Sequence, residues 1–66
     1  MPLITYESGK LSDEVKQELI TKLTNTASEI TGAPAGLFFI TIRELPDENI
    51  AIGGKNVKEI KKGLGK

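Results

Sequence analysis

Leu37-Phe38-Phe39-Ile40-Thr41-Ile42-Arg43-Glu44-Leu45 carries the strongest strand signal in the chain. Its β-branched and aromatic residues favour a pleated, partly buried backbone. Side chains two apart share one face of a strand, so Phe38, Ile40 and Ile42 make a wholly apolar face, while Leu37, Phe39, Thr41, Arg43 and Leu45 make a mixed one. A single helix covers only one of these faces. The mixed face is left to meet water, a ligand or another subunit.

Upstream, Ser12-Asp13-Glu14 announces that helix, with Ser12 as N-cap and two carboxylates in the positively polarised first turn. Val15, Leu19, Leu23, Ala27 and Ile30, with Ile20 beside them, recur at helical spacing and predict one apolar stripe over about five turns. Gly32 falls where a helix ends in left-handed backbone, and Pro34 forbids continuation. Before the helix, Pro2 to Glu7 reads as a short strand, and Ser8-Gly9-Lys10 as a turn in which Gly9 is expected to take an unusual backbone angle. A strand, a long helix and a second strand in succession predict a right-handed β-α-β crossover with the two strands parallel. The fold class is α+β. Downstream, Pro46 to Asn49 reads as a surface turn, Ile50 to Gly54 as a short segment pairing in a hairpin or with a neighbouring subunit, and Asn56 to Lys62 as a short helix with Val57 and Ile60 inward. Residues 63–66 are expected to fray.

Sixty-six residues make one domain, 1–66. A chain this small buries only about 60% of its unfolded surface, so its core needs help from disulfides, a metal or oligomerisation. The sequence has no Cys and no His, which removes disulfides and structural zinc. Oligomerisation remains. Nine Lys plus Arg balance nine Asp plus Glu, so no net field draws the chain to nucleic acid or an anionic membrane. No apolar run reaches the roughly 20 residues of a membrane span, and the N-terminus lacks a signal-peptide layout. The expectation is a cytoplasmic soluble protein. Lys55, Lys58, Lys61, Lys62 and Lys66 crowd the last twelve positions, and such a cluster usually forms a solvated helix face.

Pro2 stands behind the initiator methionine. Inside a chain a proline nitrogen is a tertiary amide without basicity. With Met1 removed it becomes a secondary amine, and an apolar pocket or nearby cations lower its affinity for a proton toward working pH. By position alone, Pro2 does no more than open an edge strand.

The Pro2 start, Gly9-Lys10 before Ser12-Asp13-Glu14, Gly32-Ala33-Pro34 at the helix exit, the Phe38–Glu44 strand and Ile52-Gly53-Gly54-Lys55 together resemble the 4-oxalocrotonate tautomerase family, over Pro2 to about Lys62. That resemblance implies a β-α-β subunit with a short C-terminal hairpin or helix, assembling as a hexamer, a trimer of dimers, whose active sites take residues from adjacent subunits. It implies a cofactor-independent keto-enol tautomerase in which Pro2 moves a proton between oxygen and carbon of a small-molecule dienol or 2-oxo acid, with no metal or organic cofactor. Lys10 falls where the family has a carboxylate-binding arginine, and lysine keeps the charge without the bidentate fork. Phe39 occupies the place of a second arginine, and Ile50 that of a pocket phenylalanine. Arg43 shares the sheet face of Phe39 about 13 Å along, where it serves either a displaced substrate or an ion pair with Glu7 or Glu44. Lys61 replaces a C-terminal arginine that attracts a distal carboxylate. Loss of one cation favours a substrate with one carboxylate and an apolar end. The alternatives are a relative with another or only promiscuous activity, such as hydration or dehalogenation, and a non-catalytic oligomeric module if Met1 stays.

Overall fold

In the computed structural model, which describes residues 1–63, two parallel strands flank one long helix in sequence. β1 (Leu3–Ser8) is followed by α1 (Asp13–Thr31), a 3-10 turn (Ala35–Leu37) and β2 (Phe39–Glu44). A second 3-10 turn (Asp47–Asn49), the short strands β3 (Ala51–Ile52) and β4 (Lys55–Asn56), and α2 (Val57–Gly63) complete the order. β1 and β2 pair in register from Leu3 opposite Phe39 to Ser8 opposite Glu44. The sequence-predicted β-α-β unit is present, and its tail contains both a hairpin and a helix.

The caps are those the sequence prescribes. Ser12 Oγ accepts the Val15 N–H at 3.2 Å, and Gly32 ends α1 at φ 78° with its N–H on Ser28 O. Thr31 Oγ1 donates to Ala27 O at 2.8 Å and accepts from Ala33 N, while Ser28 Oγ donates to Ala33 O. The orphan groups of the helix end are thereby occupied before Pro34 turns the chain away. In the tail, Asn56 Oδ1 accepts the Glu59 N–H and caps α2, and Val57 and Ile60 are half-buried.

Three details differ from expectation. Leu37 belongs to the 3-10 turn, not to the strand, because Leu37 and Phe38 send their N–H groups back to Pro34 O and Ala35 O. Gly9 does not adopt positive φ; among the described residues Gly32, Gly53 and Gly54 do. The two-residue link of the β3–β4 hairpin requires positive φ at both of its glycines, whereas the longer β1–α1 connection turns without it. Finally, the covered residues of α1 include Lys16, Leu19, Ile20, Leu23, Thr24, Ala27 and Ser28, so its seam runs through Ile20, Leu23 and Ala27. Val15 and Ile30, at the ends of the expected stripe, stay exposed.

Among the described residues none is fully buried. The Cα radius of gyration is 15.4 Å, with extents of 44 × 23 × 16 Å, against about 11 Å for a compact chain of this length. Its accessible surface of 5176 Å² compares with about 4,100 Å² for a compact monomer of this mass. Leu3 (61% exposed) and Phe39 (52%) stand paired on the sheet face away from the helix. No helix among the described residues is long and apolar enough to cross a membrane.

Candidate active site

The six residues of β1 span about 20 Å, and they divide the candidate residues into two groups. At the start of the strand lie Pro2 and Phe39. Pro2 is half-buried, and its carbonyl accepts the Phe39 N–H at 2.9 Å, which ties the proline to the first rung of β2. Its surroundings on the sheet are the apolar pair Leu3 and Phe39. Met1 is 90% exposed.

At the other end of the sheet lie Lys10, Arg43 and Lys61. Lys10 and Lys61 line one open cavity of about 340 Å³ together with Leu45, Pro46, Asp47, Glu48 and Lys58. Lys61 Nζ donates to Asp47 Oδ2 at 2.9 Å; no ion pair to Lys10 or Lys58 is found among the described residues. Arg43 faces Glu7 across the strands, 3.8 Å away. Both groups are exposed and the contact is long, so the pair contributes little to stability. Of the two carboxylates that the sequence offered to Arg43, Glu7 is the one it meets.

Ile50 sits beyond the second 3-10 turn, half-buried, its carbonyl accepting the Val57 N–H at 2.7 Å. Phe39 and Ile50 therefore lie at opposite ends of β2. Within one chain they do not share a pocket.

Sequence reasoning named Glu44 only as a possible partner of Arg43 and missed the contacts it makes. Its Oε2 accepts the Leu11 N–H at 2.7 Å and its Oε1 accepts from Lys16 Nζ at 3.0 Å, while Asp13 stands 3.6 Å from the same ammonium. The Leu11 N–H, then the Lys16 ammonium, hold the Glu44 carboxyl below the usual carboxylate range, and the hydrogen bond to Glu44 raises Lys16. A signal was available, because Glu44 continues the alternation of Phe38, Ile40 and Ile42 and so turns a carboxylate toward the helix side. Such a group needs partners.

The arrangement is an apolar, proline-bearing end of the sheet and a lysine-lined cavity one strand length away. The tautomerase enzyme family matches residues 3–60 of the chain. A probable tautomerase of Bacillus cereus is 34% identical over 61 residues, covering 89% of this chain and 98% of the relative. The 2-hydroxymuconate tautomerase of Comamonas testosteroni is 37% identical over 49 residues, covering 74% and 78%. Among solved structures, TomN, a 4-oxalocrotonate tautomerase homologue of the tomaymycin biosynthetic pathway, superposes with a TM-score of 0.89 at 29% identity, over 92% of this chain and 95% of that one. A heterohexameric 4-oxalocrotonate tautomerase from Chloroflexus aurantiacus J-10-fl superposes with a TM-score of 0.87 at 26% identity, over 91% and 98%. With the family match running over residues 3–60 and these relatives and structures aligned over most of the chain, it belongs to the 4-oxalocrotonate tautomerase family of tautomerase enzymes.

Proposed function

We propose that the protein is a keto-enol tautomerase acting on enolpyruvate-type 2-oxo acids, with Pro2 as general base once Met1 is removed, in an oligomer whose sites draw on more than one chain. The observation that carries this reading is the anchoring of Pro2. Its carbonyl is spent on the Phe39 N–H, which fixes the ring on the sheet and leaves the nitrogen for chemistry. The exposed Met1 side chain holds nothing in place, so its removal costs the fold no packing. Leu3 and Phe39, exposed in the single chain, become an apolar wall once a second chain covers them, and such a wall disfavours the ammonium and keeps the freed amine in the neutral, proton-accepting form.

On phenylenolpyruvate, Pro2 nitrogen takes the proton of the 2-hydroxyl and returns it to C3, giving phenylpyruvate with no other reactant. A cation of the Lys10–Lys61 cavity holds the carboxylate. Because β1 keeps Pro2 and Lys10 about 20 Å apart, the two meet on one substrate only if different chains supply them. Assembly also supports the fold, since the isolated chain leaves no residue fully buried among those described. The hexameric state of the Chloroflexus relative makes a hexamer the expected assembly here.

Two measurements test the reading. Mass spectrometry of the protein from its native source should find Met1 absent; an intact Met1 would exclude Pro2 as base. Pro2→Ala should then lower kcat on phenylenolpyruvate by at least about a hundredfold, within the range of a positioned acid–base group. Unchanged turnover would assign the base elsewhere.

A further inference from the structure

We infer that Glu44 is the positioning residue for Lys10, acting by clasping the β1–α1 loop that carries it. The inference rests on the reading of Lys10 as a carboxylate-binding residue. It adds a specific restraint that makes that lysine directional.

The connection between β1 and α1 is short, and Lys10 sits in its middle, flanked by Gly9 and Leu11. A lysine on a glycine-containing loop has a mobile backbone beneath a mobile side chain, a poor platform for fixing a carboxylate. The structure answers the first problem. Upstream of Lys10, Ser8 Oγ donates to Gly9 O at 2.8 Å, and Ser8 O accepts the Leu45 N–H at 2.8 Å. Immediately downstream, the Leu11 N–H donates to Glu44 Oε2 at 2.7 Å. The other oxygen of the same carboxylate takes Lys16 Nζ at 3.0 Å, one turn into α1.

Glu44 thus joins three elements at one point: the end of β2, the loop, and the first turn of the helix. Its bond to Leu11 is charge-assisted and short, the kind that fixes a backbone position. Lys10 also lies close enough to act on the Glu44 carboxylate electrostatically. Its ammonium is nevertheless not consumed by an ion pair with Glu44 or any other described residue, and it lines the cavity. The carboxylate therefore holds the backbone of Lys10's neighbour while leaving Lys10 itself available. Lys16 matters here too, because it takes up one of the Glu44 oxygens.

Two roles for Glu44 predict opposite outcomes. If it only tempers the positive field, neutralising it tightens carboxylate binding. If it positions Lys10, its loss weakens binding even though a negative charge has gone.

The experiment is steady-state kinetics on phenylenolpyruvate for Glu44→Ala, Glu44→Gln, Lys16→Met and Lys10→Ala, in the full-length Met1-processed protein well below each variant's melting temperature. Glu44→Ala should raise KM roughly tenfold or more, with a smaller change in kcat. Glu44→Gln keeps an acceptor for the Leu11 N–H and should recover most of that loss. Lys16→Met should fall between. The Leu11 amide proton should shift with pH as Glu44 titrates in the wild type, and not in Glu44→Gln. An unchanged or lowered KM in Glu44→Ala, beside a raised KM in Lys10→Ala, would overturn the positioning role and leave the Lys10 reading intact. An unchanged KM in Lys10→Ala would remove the reading itself. A Leu11 amide indifferent to Glu44 titration would overturn the clasp independently of activity.

Discussion

On the proposed function, Phe39 is the residue that should decide substrate choice. It stands beside Pro2, bonded to it through the backbone at 2.9 Å, and offers a half-exposed ring where the family resemblance leads one to look for a cation. If that ring lines the substrate site, an aromatic or aliphatic substrate end would gain from it, and a second carboxylate would find no charge there. Phe39→Arg should therefore lower KM for 2-hydroxymuconate by about tenfold, the worth of one charge-assisted contact, and weaken use of phenylenolpyruvate. Steady-state kinetics on the two substrates checks this; an unchanged preference would mean that specificity is set elsewhere. The candidate residues were named from sequence, but their grouping was not. Arg43 was legible as an ion-pairing group, and its partner Glu7 follows from the parallel register alone. The Asp47 partner of Lys61 lies fourteen positions away, and nothing in the local pattern links the two.

At the scale of the element, α1, the strand pair and the glycine hairpin were legible because each carries its own local signals: Ser12 and Gly32 at the caps, alternation in β2, Gly53-Gly54 in the turn. What was not legible was how elements are fastened together. Glu44 looked like one more charge at a strand end, and only the parallel pairing and the short β1–α1 loop bring its carboxylate to Leu11 and Lys16. That fastening has a pH dependence of definite sign. Glu44 is depressed in the folded chain, first by the Leu11 N–H and then by Lys16. Its contribution is therefore present above the unfolded glutamate value and is lost as pH falls through the folded one. Thermal midpoints of the wild type should decline on acidification below about pH 4 more steeply than those of Glu44→Gln. Parallel curves for the two proteins would show that the clasp contributes nothing.

For the whole molecule, elongation and the lack of any fully buried described residue give assembly a physical motive. The apolar residues left outside, Leu3, Val15, Ile30, Phe39 and Ile52 among them, are those that a second chain would cover. The sequence anticipated this from the mixed face of β2 and the absence of cysteine, but not that the two groups of candidate site residues would stand a full strand length apart. That separation allows a test by mixing. Pro2→Ala and Lys10→Ala proteins, each weak alone, are combined under conditions in which mass spectrometry shows subunits exchanging, and turnover of phenylenolpyruvate is followed. If Pro2 of one chain works with Lys10 of another, the mixed oligomers contain sites with both residues intact, and activity should rise well above the sum of the separate proteins. Mixed oligomers that form but stay as inactive as their parents would contradict a site shared between chains.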